Sequence, residues 1–393
     1  MAVLKRVAKK SISSLTNLCD ALSITIHELN GALALSDDQK YLRSTTPKPD
    51  GSLRIVHNPH RLLRKVQRRL NSRIFSNSAV VTWPDYVYGS IPNQIDVGGA
   101  IVEKDYIACA RVHCGAKSML KMDIKDFFNN VHEEAVRDIF LRFFKYSKEV
   151  SDALTSICTF EGGLVQGALT SSYIANLCLF DVEDSAVERL RRKKLRYTRL
   201  VDDITVTSTI ANYDFSFAKD VITTTLVDKD LPVNERKTRV LYISSEPLTV
   251  HGLRVNYKEP RLPAKEVARI RSAVRNVELL ASEGSYRTSH SYRHDFNRCM
   301  GRVNKLKRIG HRQHMVLIKR LLKILPLPAK RDIERAEKLL IRIKKDWLSN
   351  PDSYGYAKRF YILHERLNVL ARSFPAVSAV MRKEMRGLRP VYD

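Results

Sequence analysis

Long apolar runs are missing from this chain of 393 residues. None approaches the roughly 18 consecutive apolar residues that a membrane-spanning helix needs, and the N-terminal stretch MAVLKRVAKKSISSL lacks the apolar centre of a signal peptide. We therefore expect a cytoplasmic protein with no membrane partner. Hydrophobic residues still make up 44% of the chain and charged residues 28%, which is typical of a folded globular protein with two or three domains.

Cysteine is scarce and shows no pattern. The six cysteines have neither the paired spacing of a zinc site nor the density of a disulfide-rich domain, so we expect reduced thiols that lie mostly in the core. His113 and Cys114 are neighbours with metal-binding side chains, but no partner ligands stand near them. An ordinary structural role is therefore favoured for both.

Acidic residues are too few to balance the basic ones. Lys and Arg number 68 against 42 Asp and Glu, which gives a net charge of +26 and an isoelectric point near 9.9. Such a surface indicates a polyanionic partner, either nucleic acid or an anionic membrane. Residues 261–393 hold 31 basic and 12 acidic residues, so +19 of the excess lies in the last third. Solvated helix faces explain only part of this imbalance.

Two adjacent aspartates, Asp202 and Asp203, interrupt the strand-like segment YTRLVDDITVTS. Neighbouring carboxylates repel each other and resist ionisation unless a cation or solvent offsets the cost. A surface hairpin turn is one interpretation, because Asp tolerates turn geometry. The other is a strand, turn, strand unit whose tip binds Mg²⁺, which prefers carboxylate and water ligands. This segment alone does not decide between them.

A third acidic residue could join this pair. The segment KSMLKMDIKDFF predicts a strand that ends at Asp123. Three carboxylates around two Mg²⁺ ions fit a nucleotidyl-transfer site, where one ion activates a 3′-hydroxyl and the other neutralises a triphosphate. The residue trio therefore favours the functional interpretation of the aspartate pair.

Further segments suggest a nucleotide pocket, although each has an ordinary alternative. Phe127 and Phe128 follow Asp123 closely, and either ring taken alone is more typical of a core. Gln166 and Gly167 open an apolar helix, where glycine allows a close approach of the backbone to a nucleotide. Lys237, on a turn that enters a strand, could assist a leaving pyrophosphate, although a lone lysine is usually a surface residue.

Periodicity separates a mixed part of the chain from a helical part. Helical spacing appears over 11–35, and helices, strands and hairpins then alternate to about residue 257, in α+β order. From Pro263 onward no segment has strand character. The predicted helices there are 264–282, 291–308, 312–325, 328–348 and 354–373.

Read in order, the segments DIKDFF, QGALTSSYIANL, LVDD, LPVNERKT and VHGLRV resemble motifs A to E of the reverse transcriptase family. Gln166 stands 43 residues after Asp123, and Asp202 stands 36 residues after Gln166. The segments GSLRIVHNPHRLLRKVQRRL and FNRCMGRVNKLKRIG resemble the fingers and thumb of the bacterial retron and group II intron type. The resemblance covers roughly residues 10–325 and is specific because five motifs occur in order.

The resemblance implies a role for each matching residue. Asp123, Asp202 and Asp203 would bind two Mg²⁺ ions, with Mn²⁺ as an alternative, and Ile124 would adjoin both metal and nucleotide. Lys237 would face the pyrophosphate as a catalytic residue. Phe128 would pack against the sugar and exclude a 2′-hydroxyl, and Arg54 would hold the triphosphate. The other implied residues are Phe127, Gln166 and Gly167 in the nucleotide pocket and His251, Gly252 and Leu253 in the primer grip.

The family fold is an α+β right hand with a helical thumb. Its implied domains here are 1–110 fingers, 111–262 palm with part of the fingers interleaved around 130–165, 263–325 thumb and 326–393 a basic helical extension. The implied partners are an RNA template, an RNA/DNA duplex, deoxynucleotides and a structured non-coding RNA. A homo-oligomer or a partner protein stays open.

The chain also departs from the retron pattern. Leu200 replaces an aromatic residue at the start of motif C, NQIDVGGAIV replaces an Asn-Ala-x-x-His signature, and VHG replaces Val-Thr-Gly in motif E. We therefore expect an enzyme unlike the standard retron type, and the extension from Pro326 resembles the layout of defence-associated bacterial reverse transcriptases. The alternatives are an RNA-synthesising polymerase, which Phe128 disfavours, a protein-primed polymerase, and an RNA-binding scaffold with a degenerate palm.

Overall fold

A computed structural model describes residues 3–47, 51, 53–96 and 98–391 of the chain. Its contacts divide the chain after Arg261 into two units. The division falls beside Pro263, where the sequence loses its strand-like segments, so the units correspond to the α+β part and the helical part. The finer division into fingers, palm, thumb and extension stays a prediction.

Strands and helices alternate through the first unit. Its strands are β1 Lys5–Arg6, β2 Tyr41–Pro47, β3 Leu53–Pro59, β4 Val81–Thr82, β5 Val87–Tyr88, β6 Gln94–Ile95, β7 Ile101–Val102, β8 Ser118–Asp123, β9 Thr159–Phe160, β10 Gly163–Leu164, β11 Arg196–Leu200, β12 Asp203–Ser208, β13 Arg239–Tyr242, β14 Thr249–Val250 and β15 Leu253–Arg254. Its helices are α1 Leu15–Leu22, α2 Ile26–Leu33, α3 Asp37–Lys40, α4 Arg61–Leu70, α5 Tyr106–Val112, α6 Phe127–Asn130, α7 Glu133–Asp138, α8 Lys148–Cys158, α9 Ser171–Leu177, α10 Glu183–Arg192 and α11 Ser216–Val227. π-Helical turns, Asn71–Phe75 and Ile139–Phe143, follow α4 and α7.

A five-stranded sheet in the order β13-β8-β12-β11-β5 forms the centre of this unit. Neighbouring strands are antiparallel, except that β5 runs parallel to β11. Nearly every residue of β8 and β12 is buried, which is typical of strands covered on both faces. Carboxylates at the ends of these strands are therefore polar exceptions in an apolar sheet. The strand predicted to end at Asp123 is confirmed.

The helical segment predicted over 11–35 is two helices. Helix α1 ends because Ser23 adopts a left-handed conformation with a φ of 52°. The Thr25 side chain and Glu28 then form a capping box at the start of α2. Since a capping box satisfies free N–H groups of a first helical turn, the sequence TIHE begins a new helix.

The described part of the second unit is entirely helical. Its helices are α12 Ala264–Ala281, α13 His290–Arg308, α14 Gln313–Lys323, α15 Lys330–Trp347, α16 Tyr354–Leu370 and α17 Pro375–Met385, with a 3₁₀ turn at Tyr286–Thr288. One apolar cluster joins α12 to α14, and another joins α15 to α17. The five predicted helices are confirmed within a few residues. Helix α17 was not predicted, because PAVSAVMRKEM is short and rich in small residues.

The remaining expectations from composition concern thiols, His113 and membranes. All six cysteines are free, and all but Cys114 are buried.

Both ring nitrogens of His113 form hydrogen bonds of 2.7 Å, to the hydroxyls of Thr198 and Thr207, so neither nitrogen is left to bind a metal. Within the described ranges, no helix is long and apolar enough to cross a bilayer.

Candidate active site

The adjacent aspartates lie at the tip of the β11–β12 hairpin. Val201, with a φ of 60°, and Asp202 form the turn, and β12 begins at Asp203. In the register of the sheet, Asp203 stands directly opposite Asp123, the last residue of β8. The Ile124 N–H donates to the Asp202 carbonyl oxygen at 3.1 Å. The sheet thus brings acidic residues from distant parts of the sequence to one place.

Asp123 is only 4% exposed, and both of its carboxylate oxygens accept hydrogen bonds. Asn234 Nδ2 donates to Oδ1 at 2.8 Å, and Lys237 Nζ donates to Oδ2 at 2.7 Å. The Asn234 N–H also donates to the Asp123 backbone oxygen at 2.8 Å. Lys237 therefore belongs to the acidic site, although its side chain remains 61% exposed.

The proximity of these charges alters their protonation. Burial, assisted by the charge of Asp203, raises the pKa of Asp202. Burial and the charge of Asp123 raise the pKa of Asp203. The hydrogen bond to Asp123 raises the pKa of Lys237. Ionising Asp202 and Asp203 together is therefore unfavourable without a further cation beside them.

The residues of this site suit a hard divalent cation, because Mg²⁺ and Mn²⁺ prefer carboxylate oxygens. Among the described residues, no three Asp, Glu, His or Cys side chains already form a group that could hold an ion. Lys237 and Asn234 instead hold the carboxylate of Asp123. We therefore expect metal binding to require Lys237 to release Asp123.

The β14–β15 hairpin places its turn beside the same acidic residues. His251 and Gly252 form the turn with φ values of 47° and 79°, and His251 Nδ1 lies 3.8 Å from Asp203 Oδ2. Burial lowers the pKa of His251 to about 4. Leu253 is buried, so its side chain packs in the interior and does not face a ligand.

Gln166 and Gly167 lie in a loop before α9, which begins at Ser171. The prediction that they open the helix is wrong. The Gln166 carbonyl accepts a hydrogen bond of 2.8 Å from the N–H of His57, in strand β3. Gly167 has a φ of +113°, and a Cβ there would lie 2.2 Å from the His57 carbonyl oxygen. Glycine is therefore required by the approach of β3 to this loop.

Comparison with known proteins assigns the family. A model of the family "Reverse transcriptase (RNA-dependent DNA polymerase)" matches residues 46–280. The chain belongs to the reverse transcriptase family. This reverse transcriptase is 44% identical over 383 residues to the retron Ec48 reverse transcriptase of Escherichia coli, with 97% of this chain and 93% of that protein covered. It is 30% identical to the retron Se72 reverse transcriptase of Salmonella heidelberg, with 80% of each chain covered.

A solved structure also matches the reverse transcriptase. The structure of telomerase from Candida tropicalis in complex with a TWJ fragment of telomeric RNA has a TM-score of 0.41 and 12% identity. The match covers 89% of this chain and 65% of that chain.

The family match and the two retron relatives identify a bacterial retron-type reverse transcriptase, an RNA-directed DNA polymerase. The departures from the retron pattern do not separate this chain from the retron enzymes. Leu200, NQIDVGGAIV and VHG occur in a chain that matches a retron enzyme over nearly its whole length. Since the match covers 97% of this chain, most of the extension after Pro326 is shared with that enzyme.

The other residues predicted to contact the nucleotide differ in how deeply they are buried. Ile124 and Phe127 are buried in the core, so neither side chain is exposed to a metal or nucleotide. Phe128 is partly exposed, with its ring centre 6.1 Å from that of Phe127. Arg54 pairs with Thr46 in the β2–β3 hairpin, and its side chain lies outside the described part of the chain.

A buried ion pair beside the acidic turn was not predicted from the sequence. Arg199 and Glu183 are joined at 2.5 Å, and their side chains are 0% and 5% exposed. The available signal was a single arginine within the otherwise apolar segment before Asp202 in YTRLVDD. Its partner Glu183, the first residue of α10, could not be recognised, because the contact depends on how α10 packs against β11.

Proposed function

We propose that this reverse transcriptase extends a primer 3′-hydroxyl along RNA by two-metal nucleotidyl transfer, with the ions held by Asp123, Asp202 and Asp203. The observation that carries the proposal is the pairing of Asp123 with Asp203 across adjacent strands. Bound Mg²⁺ supplies activation of the hydroxyl and neutralisation of the triphosphate. Mn²⁺ shares these ligand preferences.

Residues around the carboxylates hold the substrates in this proposal. The pKa of Lys237 is raised, so its ammonium is charged at neutral pH and can stabilise or protonate the leaving pyrophosphate. The turn at His251 and Gly252 holds the primer end, which its closeness to Asp203 supports. The remaining proposed contacts to the nucleotide are Arg54, the backbone of Ile124, Phe127, Phe128, Gln166 and Gly167.

A primer-extension assay on an RNA template tests the acidic site. We expect Asp202→Asn and Asp203→Asn each to lose activity by at least about a hundredfold, because a metal ligand supports several kcal/mol of transition-state stabilisation. Asp220→Asn, an exposed aspartate on α11, is the matched control and should retain activity. Full activity in Asp203→Asn would overturn the two-metal proposal.

Phe128 tests the choice of sugar. If its ring packs against the sugar, Phe128→Ala should lower the preference for dNTPs over rNTPs by about tenfold or more, because the steric barrier to a 2′-hydroxyl is removed. Relative incorporation of each nucleotide in primer extension measures the effect. Phe217→Ala, at a partly exposed phenylalanine on α11, is the control. An unchanged preference in Phe128→Ala would exclude this role.

We further propose that a structured non-coding RNA is the template and partner, in antiviral defence. The net charge of +19 over residues 261–393 supports binding to a phosphate backbone. Sequencing the RNA and DNA that copurify with the full chain identifies the template and the product. Phage plaque counts on cells with the wild type or Asp203→Asn test defence, and equal counts would contradict it.

A further inference from the structure

Arg199 is fully buried and uses all five of its N–H groups. Nε and Nη2 donate to the two carboxylate oxygens of Glu183 at 2.5 and 2.7 Å. Nη1 and Nη2 donate to the side-chain and backbone oxygens of Asn176, each at 3.1 Å. The remaining N–H on Nη1 donates to the carbonyl oxygen of Val201 at 3.2 Å. One guanidinium thus joins α9, α10 and the turn before Asp202.

Val201 has a backbone conformation that its side chain disfavours. Its φ is 60°, and a β-branched residue in the left-handed region is strained unless the surroundings hold it there. This strained residue comes directly before the two aspartates. A change in its conformation would reorient Asp202 and Asp203 relative to Asp123.

A second contact supports the same turn. Leu200 packs beside Gly89, where a Cβ would lie 2.9 Å from Leu200 Cγ. The carbonyl oxygen of Gly89 accepts a hydrogen bond of 3.0 Å from Asn176 Nδ2. Asn176 therefore connects the contact at Leu200 to the contacts of Arg199.

We propose that Arg199, anchored by Glu183 and Asn176, is a positioning residue that holds Val201 in its left-handed conformation so that Asp202 and Asp203 face Asp123. This inference rests on the proposed metal site. A purely stabilising role explains the network less well, because a buried ion pair is often no more stabilising than an apolar pair of similar volume. The contact with Val201 gives the network a geometric effect that an apolar pair lacks.

The test removes both members of the buried ion pair, so that neither charge is left without its partner. Tyr197 donates to Glu183 at 2.8 Å, so the variant combines Arg199→Met, Glu183→Leu and Tyr197→Phe. Mn²⁺ binding to the full chain without substrate, followed by electron paramagnetic resonance, should weaken by about tenfold or more. The Mg²⁺ concentration for half-maximal primer extension should rise in parallel. Thermal unfolding establishes that the triple variant is folded.

Rescue at Val201 distinguishes positioning from general damage. Val201→Gly removes the strain, because glycine adopts a positive φ readily. When Val201→Gly is added to the triple variant, Mn²⁺ affinity should return to within about threefold of the wild type. This residual difference is smaller than the loss of about tenfold expected when residues that support metal ligands are removed. If the triple variant does not fold, Arg199→Lys takes its place in the test, because lysine keeps a cation for Glu183 but lacks the guanidinium fork that reaches Val201. Arg199→Lys should then show the same loss of Mn²⁺ affinity, and Val201→Gly should restore it.

A partly exposed ion pair between two other helices provides the control. Arg137 and Asp152 join α7 to α8 at 2.8 Å, and Arg137→Met with Asp152→Leu should leave Mn²⁺ affinity unchanged. If Asp203→Asn abolishes Mn²⁺ binding while a folded triple variant or Arg199→Lys binds Mn²⁺ like the wild type, the role of Arg199 is refuted and the metal site stands. If Asp203→Asn binds Mn²⁺ normally, the metal site itself is refuted, and this inference with it.

Discussion

At the scale of single residues, the ammonium of Lys237 takes the place beside Asp123 where a divalent cation is expected. The Lys237 ammonium and a metal ion would compete for the carboxylate of Asp123. Lys237→Gln should therefore bind Mn²⁺ more tightly than the wild type when no nucleotide is present. An electron paramagnetic resonance titration measures this affinity. We expect a gain of about fivefold to thirtyfold, since exchange of one charged hydrogen bond typically changes the free energy by about 1 to 2 kcal/mol.

The control for Lys237→Gln is another lysine that bonds a carboxylate. Lys219 Nζ lies 3.1 Å from Glu235 Oε2, and Lys219→Gln should not alter Mn²⁺ affinity. Weaker Mn²⁺ binding in Lys237→Gln would show that the lysine supports the metal instead of competing with it.

His113 makes stability depend on pH. Burial lowers its pKa from 6.5 to about 3, so below pH 6.5 the unfolded chain binds a proton that the folded chain does not. Stability is therefore unaffected above pH 6.5 and falls as the pH drops towards 3, by about 2 to 3 kcal/mol between pH 6.5 and 4.5. Urea unfolding at both pH values should show a smaller decrease for His113→Gln. Equal decreases in the two proteins would contradict this prediction.

The roles of the aspartates could be predicted from the sequence, but the contacts of these aspartates could not. Asp202 and Asp203 were recognisable because carboxylates in an apolar segment need a compensating partner. The hydrogen bond of Lys237 to Asp123 was not predictable, because it depends on the pairing of β13 with β8 from a distant part of the chain. The pairing of Arg199 with Glu183 was not predictable either, because it depends on how α10 packs against β11.

At the scale of elements, the contact between β3 and the loop at Gly167 joins the predicted fingers to the proposed nucleotide pocket. In Gly167→Ala the new Cβ meets the backbone of His57, and backbone cannot move as a flexible side chain can. We expect a loss of stability clearly above the approximately 1 kcal/mol typical of alanine at a positive φ. Hydrogen exchange at the His57 amide, which bonds Gln166, should become faster.

Gly162 is the matched control for this substitution. It also has a positive φ, +80°, but a Cβ there would meet nothing within 4 Å. Gly162→Ala should therefore show the conformational cost alone and leave exchange at His57 unchanged. Similar stability losses in the two variants would show that the contact with β3 is unimportant.

Whether a segment forms a helix or a strand was easier to predict than which other segment it contacts. Helices α12 to α16 followed from apolar spacing, because each buries one face in a helical core. The parallel pairing of β5 with β11 was not predicted, because β5 is two residues long and its partner is distant in sequence. The position of Gly167 before α9 depended on that kind of non-local contact as well.

At the scale of the whole molecule, positive charge is concentrated in the helical unit. On α13, the side chains of Arg298, Arg302 and Lys305 are exposed and follow helical spacing on one face. The opposite face packs Phe296 and Val303 into the core. The charged face can therefore be changed without disturbing the packing of the unit.

Replacing these three cations with glutamine should lower both the affinity for an RNA/DNA duplex and its dependence on salt. Each phosphate contact contributes about 0.9 to the slope of log affinity against log salt concentration, so the slope should become shallower by about 2 to 3. Fluorescence anisotropy from low to moderate salt measures it. The control replaces Arg142, Arg192 and Lys219, cations of the first unit that each pair with an acidic residue, and should change the slope less. Every phosphate contact releases counterions, so the loss of contacts must change the slope. Equal slopes in the α13 variant and the wild type would therefore show that the duplex does not bind to this face of α13.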